Sequence, residues 1–132
     1  MPLKGLNPPT LVTPDTYTQV VIASGRRMVF ISGQVAEDSE GNFVGAGDLA
    51  AQARQAFANV GRALQAAGAR PDEVVKLSIF VVGLTLVHLP AIEAGRVAAF
   101  GTHKPADTLL GVAALAYADA LIEVEATAVV SD

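Results

Sequence analysis

Asp72-Glu73-Val74-Val75-Lys76-Leu77-Ser78-Ile79-Phe80-Val81-Val82 is the stretch of sequence that decides the fold. β-Branched and aromatic residues dominate it and Pro71 provides a preceding turn, so it predicts a long strand. Successive side chains of a strand point to opposite faces. One predicted face is wholly apolar and contains Val75, Leu77, Ile79 and Val81. The other mixes apolar and polar residues, so we expect it to need a cover, which a second subunit could supply.

The composition narrows the possible classes of protein. The chain has 132 residues, so we expect a single domain spanning residues 1–132. It has no cysteine and only two histidines, which argues against disulfides, a thiol nucleophile and a metal site. The net charge of -4 argues against a nucleic-acid partner, which usually requires a basic surface.

Hydropathy favours a soluble protein with buried subunit contacts. No apolar run reaches about 18 residues, so we expect no membrane span. The N-terminal Met1–Gly5 lacks the basic and apolar regions of a signal peptide, which predicts a cytoplasmic location. The hydrophobic fraction is 52% and the charged fraction only 17%, which is apolar for so small a monomer.

The first third of the chain predicts a hairpin after an irregular lead-in. Four prolines within residues 1–16 favour an extended segment rather than a regular element. Tyr17–Ser24 is expected to be a strand, and Gly25-Arg26 is expected to turn it into a partner strand at Arg27–Ser32. Gly33 would end that strand at a point where the backbone can approach another group closely.

Two amphipathic helices are expected. The first covers about Leu49 to Ala67, with Asp48 as N-cap and Gly68 as a left-handed stop. Its apolar stripe has helical spacing and comprises Leu49, Ala53, Ala56, Phe57, Val60, Leu64 and Ala67. The second helix is expected from Val87 to Phe100, with Pro90 in its first turn.

Two more strands complete an α+β order of β-β-α-β-α-β-β. They are predicted at Asp107–Ala114 and Leu121–Val130, and the last strand alternates clearly between apolar and polar residues. We expect one sheet with both helices on one face, because two helices cannot cover both faces. The open face would present Lys76, Ser78, Phe80, Glu123, Glu125 and Val129. Carboxylates beside apolar groups on such a face are candidates for chemistry.

Several short motifs, in order and covering nearly the whole chain, resemble the Rid (YjgF) family of reactive-intermediate deaminases. They are Ile31-Ser32-Gly33-Gln34, Gln52–Val60, Ala66-Ala67-Gly68, Asp72–Lys76 with Ile79-Phe80-Val81, Pro105-Ala106 and Ile122–Ala126. The resemblance implies a chorismate-mutase-like fold. It also implies a homotrimer with a central barrel, and small-molecule ligands in clefts between subunits. Such a trimer would cover the open face.

The resemblance also implies an activity and a site. Family deaminases hydrolyse enamines and imines, such as 2-aminoacrylate, to a 2-oxo acid and ammonia without a cofactor. A glutamate on the last strand, which matches Glu123, positions or activates water. A tyrosine near the N-terminus matches Tyr17, and the close-approach glycine matches Gly33. An arginine directly after the Pro-Ala pair binds the substrate carboxylate.

That arginine is missing here, because Asp107 follows Pro105-Ala106. Thr108 and Leu109 come next, the latter where cysteine is common, and Glu93 replaces an asparagine of typical deaminases. A second carboxylate at about 4 Å would repel the substrate by about 4 kcal/mol before screening. The substrate is therefore neutral or cationic, or another cation binds it, or the cleft is not a deaminase site. The available cations are Arg27, Arg96, His103 and Lys104.

Most of these residues also have a purely structural interpretation. Glu123 either positions water or is a solvated strand carboxylate, and Glu125 is expected to pair with Lys76. Asp107 either recognises an amine or amidine or, as a strand-start residue, accepts local backbone amides. Tyr17 either forms a pocket wall or belongs to an interface.

Two further side chains have the same ambiguity. His103 is either a general acid or base or an exposed loop histidine. Thr108 either contacts a ligand oxygen or is an ordinary strand threonine.

Three functions remain open from the sequence. The first is hydrolysis of an enamine or imine, with Glu123 placing water. The second is a non-enzymatic trimer whose clefts bind a small metabolite for sensing or regulation, which Asp107 favours. The third, an endoribonuclease or translation inhibitor, is disfavoured by the acidic charge and the lack of a basic groove.

Overall fold

The computed structural model describes residues 3–132, which form six strands and two helices. Met1 and Pro2 lie outside the described residues. They belong to the predicted lead-in and to the N-terminal segment that was compared with a signal peptide. The strands are β1 Leu3–Leu6, β2 Val20–Ala23, β3 Arg27–Gln34, β4 Val74–Val82, β5 Ala106–Val112 and β6 Ile122–Val130. The helices are α1 Leu49–Ala66 and α2 Leu89–Phe100. Within residues 3–132, neither helix has the length and hydropathy to cross a membrane.

The main sheet has four strands in the order β3-β6-β4-β5. β4 and β5 are parallel and connected through α2, whereas β6 is antiparallel to both β3 and β4. Both helices pack on one face, where the rings of Phe57 and Phe100 meet edge to face with centroids 6.0 Å apart. The predicted α+β class with two helices on one face is therefore confirmed.

The N-terminal strands differ from the prediction. β2 does not form a hairpin with β3 but pairs with β1 in a separate two-stranded sheet, with Leu3 opposite Ala23. After β2 the chain crosses to the main sheet, where the Arg26 amide donates to the Val130 carbonyl at 2.9 Å. The predicted hairpin, single sheet and strandless lead-in were wrong because Leu3–Leu6, a short segment between Pro2 and Pro8, pairs with β2.

The central strand β4 begins two residues later than predicted. Pro71–Glu73 forms one turn of 3₁₀ helix, and the pairing with β6 shifts between Val74 and Lys76. This irregularity places Val74, rather than Val75, in the core with Leu77, Ile79 and Val81. The predicted alternation is correct beyond that point and wrong before it.

Helix α1 follows its sequence signals. Asp48 Oδ1 accepts from the Ala51 amide at 3.1 Å, and Gly68 adopts the expected positive φ of 73°. The predicted stripe is buried at its five central positions, Ala53, Ala56, Phe57, Val60 and Leu64. Helix α2 starts at Leu89 rather than Val87, because Leu86–His88 forms a 3₁₀ turn first.

Gln52 was predicted off the apolar stripe but is fully buried. Its amide donates to the carbonyls of Gly45 and Asp119 at 3.1 and 2.9 Å, and its oxygen accepts from the Leu121 amide at 2.8 Å. Burial of a polar group is tolerated when its hydrogen bonds are satisfied. The side chain thus joins the start of α1 to the loop before β6.

Within residues 3–132, no helix lies on the opposite face of the main sheet. Phe30 and Met28 on β3 are 72% and 62% exposed there, and Leu110 on β5 is 38% exposed. Val129 was expected on this open face but is buried, because Gly25 lies directly against it.

Candidate functional site

A pocket of about 270 Å³ lies between α2, the strands β4 and β5, and the N-terminal segment. We call it the α2 pocket, and it is lined by Thr16, Tyr17, Ile79, Leu89, Ile92, Glu93, Arg96, Asp107 and Leu109. Four of the sequence-predicted site residues meet here: Tyr17, Glu93, Asp107 and Leu109. Sequence reasoning missed the contributions of Thr16, Ile79, Leu89 and Ile92, because they depend on how α2 and the N-terminal segment pack against the sheet.

Arg96 is the cation that the structure places in the α2 pocket. It is only 3% exposed, its Nε donates to Glu93 Oε1 at 2.9 Å, and its Nη2 contacts the same oxygen. Its Nη1 donates to the His103 carbonyl. The three-residue spacing of Glu93 and Arg96 on a helix was the available sequence signal for this pair. The Arg96 charge is therefore already balanced by Glu93.

Asp107 is the remaining charged group of the pocket. It lies on the helix side of β5, opposite Leu77, and is partly buried. Burial raises the pKa of its carboxyl from 3.8 to about 6, opposed by Lys76 and Arg96 and reinforced by Glu93. Within residues 3–132 its carboxylate has neither a hydrogen-bond donor nor an ion-pair partner. The predicted role as an acceptor of local backbone amides is therefore wrong.

The N-terminal segment is attached where Tyr17 covers the pocket. The Thr18 amide donates to the Pro105 carbonyl at 3.2 Å, and the Thr18 hydroxyl donates to the Lys104 carbonyl. Tyr17 itself lies outside any strand, because β2 starts at Val20 rather than at the predicted Tyr17. These contacts hold Tyr17 beside the start of β5.

Glu123 and Gly33 form a second cluster, on the open side of the sheet. The pairing of β3 with β6 is irregular between Ile31 and Gln34, which brings Gly33 under the Glu123 side chain. A Cβ built on Gly33 would overlap Glu123 Oε2 and lie 2.7 Å from its Cδ. Only glycine allows this approach. Gly33 also borders an open, polar groove of about 600 Å³ that includes Asn59 and Arg62.

Lys76, Thr108 and His103, which were also considered from the sequence, lie outside both clusters. Lys76 Nζ donates to Thr108 Oγ1 at 2.8 Å on the open face, so Lys76 does not form the expected pair with Glu125. His103 Nε2 lies 2.7 Å from the Val74 carbonyl. His103 is therefore neither a freely exposed loop residue nor an unoccupied acid–base group.

One protomer does not bring all predicted site residues together. Asp107 pairs with Leu77 on the helix side, whereas Glu123 pairs with Phe80 on the open side. Within the described residues, no group of three or more histidine, aspartate or glutamate side chains is arranged to hold a metal ion. The chain thus presents two separate half-sites.

The comparisons with known proteins assign the fold to a family. The model of the Endoribonuclease L-PSP family, which comprises the Rid (YjgF) proteins, matches residues 10–130. This chain belongs to the Rid family. The α+β fold that the Rid resemblance implied for the single chain is thereby confirmed.

Relatives of this Rid protein include proteins named as deaminases. It is 38% identical over 105 residues to the 2-iminobutanoate/2-iminopropanoate deaminase of Salmonella typhimurium, covering 77% of this chain and 79% of that one. It is 32% identical over 114 residues to the protein of the same name from Dermatophagoides farinae, covering 86% and 85%.

A solved structure resembles this Rid protein along almost its whole length. It is the conserved Rid protein YyfB from Yersinia pestis, a protein of unknown function. The two are 38% identical with a TM-score of 0.91, and the match covers 98% of this chain and 100% of that one.

Proposed function

We propose that this Rid protein is a cofactor-free hydrolase that releases ammonia from an enamine or imine other than a standard 2-imino acid. The observation that carries the proposal is the Glu123 carboxylate, which lies over Gly33 without a hydrogen-bond partner among residues 3–132. A carboxylate in that state is free to hold a water molecule. The deaminase names of the two relatives support the reaction class.

The chemistry requires only a positioned base. Water adds to the carbon of the C=N bond, forming a C–O bond while the π electron pair moves to nitrogen. Glu123 accepts a proton from the water and returns it to the nitrogen. The hydroxyl proton of the resulting carbinolamine then moves to nitrogen through Glu123, the C–N bond breaks and the carbonyl forms, so the products are a carbonyl compound and ammonia.

A complete site needs two copies of the chain. Glu123 and Asp107 lie on opposite faces of one sheet, so both can border a single ligand only across a subunit boundary. The open face also presents Phe30 and Met28 to solvent, and burying large apolar groups favours association. A homotrimer with the three sheets around a central barrel, as the Rid resemblance implies, meets both requirements.

The charges of the α2 pocket disfavour an anionic substrate. Arg96 is balanced by Glu93, and Asp107 adds a negative charge where the family pattern has an arginine. A bidentate arginine–carboxylate pair is strong and directional, and a substituting carboxylate reverses its sign. We therefore place neutral and cationic imines ahead of 2-imino acids.

The missing arginine also favours a second candidate, a trimer that binds a small metabolite without turnover. Cleavage of RNA, suggested by the family name, is third because the chain has a net charge of -4. RNA cleavage that disappears on further purification would dispose of this third candidate.

The test is ammonia and carbonyl release from freshly generated carboxylated, neutral and cationic imines. We expect the wild type to hydrolyse a neutral or cationic imine and Glu123→Gln to lose at least about 100-fold in rate. Glu125→Gln is the matched control, because Glu125 is an exposed carboxylate on the same strand.

Two outcomes would contradict the proposal. Hydrolysis at the wild-type rate by Glu123→Gln would exclude Glu123 as the base. Failure of the wild type on every imine, with activity on 2-iminopropionate appearing in Asp107→Arg, would favour the binding trimer.

A further inference from the structure

We infer that the α2 pocket binds the positively charged nitrogen of a small, otherwise apolar ligand, with Asp107 as the counter-ion. The inference deepens the proposed function, on which it rests, by naming the substrate class as protonated imines of apolar carbonyl compounds. An iminium group presents a planar nitrogen cation with N–H donors, which matches a carboxylate acceptor.

The first argument is the unpartnered state of the Asp107 carboxylate. It is partly buried, yet no donor or cation of residues 3–132 lies within bonding distance. Its oxygens still reach solvent, but partial loss of hydration costs a carboxylate free energy, which pairing with a cation would recover. A ligand that supplies a cation and N–H donors would provide the missing partner.

The second argument is that neighbouring cations are already engaged. The Arg96 guanidinium contacts Glu93 and the His103 carbonyl. The Lys76 ammonium lies on the other face of the sheet and donates to Thr108. Neither cation forms a hydrogen bond or an ion pair with Asp107. With Glu93 and Arg96 cancelling each other, the negative charge of Asp107 is the uncompensated charge of the pocket.

The third argument is the pocket wall. Ile79, Leu89, Ile92 and Leu109 surround the charged groups with aliphatic surface. Such walls suit a short hydrocarbon body, and they lower the local dielectric so that an ion pair with Asp107 is stronger than in water. A pocket of about 270 Å³ accepts a small molecule only.

The test uses three probes of nearly equal shape but different charge: isobutyramidine as cation, isobutyramide as neutral form and isobutyrate as anion. Binding to the full chain is measured by isothermal titration calorimetry at about pH 8, where the Asp107 carboxyl is ionised. We expect the wild type to bind the amidine at least about tenfold more tightly than the amide, and isobutyrate weakest of the three. This comparison requires no variant.

Asp107→Asn preserves side-chain size and removes the charge. It should weaken amidine binding by about 10- to 100-fold and change amide binding much less. Glu40→Gln, which neutralises an exposed carboxylate in a distant turn, should bind like the wild type. Equal amidine affinity in Asp107→Asn, tighter binding of isobutyrate by the wild type, or no binding of any probe would overturn the inference.

The inference and the proposed function fail differently. Amidine binding that depends on Asp107, with no turnover of any imine, would leave the inference standing and remove the hydrolase. Turnover that depends on Glu123 but is unchanged in Asp107→Asn would remove the inference and leave the hydrolase.

Discussion

Replacing Asp107 by asparagine is expected to stabilise the ligand-free protein at neutral pH, with a gain that disappears in acid. The pKa of the folded carboxyl is about 6 and the ordinary value is 3.8, so the folded state holds this proton more tightly than the unfolded state. Stability from this group is therefore fully present below about pH 4 and is lost as pH rises through about 6. Asparagine cannot ionise and avoids that loss.

The size of the gain follows from the pKa difference. At 1.36 kcal/mol per pKa unit, the rise from 3.8 to about 6 corresponds to about 3 kcal/mol. The carboxyl is only partly buried, so solvent screening reduces this to about 1–2 kcal/mol. The charged groups that act on it are Lys76, Glu93 and Arg96. Tyr17 faces it from the N-terminal segment.

The assay is urea unfolding of wild type and Asp107→Asn between about pH 4 and pH 8, at one protomer concentration. The difference in unfolding free energy should grow from near zero at the acid end to its full value above about pH 7. Glu40→Gln is the control and should show no such trend. A gain that is equal at both ends, or a destabilised Asp107→Asn at pH 8, would refute the electrostatic reasoning.

Two further pairs of substitutions test the approach of Gly33 to Glu123 and the hydrogen bonds of Gln52. Gly33→Ala should displace the Glu123 carboxylate and lower the rate of imine hydrolysis at least about tenfold, while changing the free energy of unfolding by no more than about 1 kcal/mol. In Gly61→Ala the added methyl group would meet no neighbouring atom, so this substitution should stabilise α1 by about 0.5–1 kcal/mol. Rates equal to wild type in Gly33→Ala would disprove the close packing. Gln52→Leu should lower the free energy of unfolding in urea by roughly 3 kcal/mol, because it removes three buried hydrogen bonds. Gln65→Leu, at an exposed position of the same helix, should change it little. Equal effects of the two substitutions would contradict the role of Gln52 in joining α1 to the loop before β6.

The helices and the later strands could be predicted because their signals are local. The cap at Asp48 and the three- and four-residue spacing of Phe57, Val60 and Leu64 identify α1 without reference to the rest of the chain. The alternation of β6 is equally local, and its alternate residues Ile122, Val124, Ala126, Ala128 and Val130 are buried. In contrast, β1 pairs with β2, which is separated from it by residues 7–19, and no local pattern specifies that partner.

The candidate site was predictable as a set of residues but not as an arrangement. Glu123, Asp107 and Glu93 could be selected from motif positions, and Arg96 could be named as an available cation. Arg96 could either extend into solvent or pair with Glu93 inside a pocket. The packing of α2 against the sheet decides between these two arrangements. That packing is the sum of many contacts between segments distant in sequence.

The sequence by itself determined the α+β class, the presence of both helices and the family, because periodicity, caps and ordered motifs are properties of short segments. Only the tertiary structure decided that Asp107 lies with Arg96 on the helix side while Glu123 lies over Gly33 on the open side. Strand alternation assigns residues to two faces, but the pairing of β5 and β6 with β4 decides which face is covered. Strand register is a non-local property, because it is set by which face buries apolar surface against the helices.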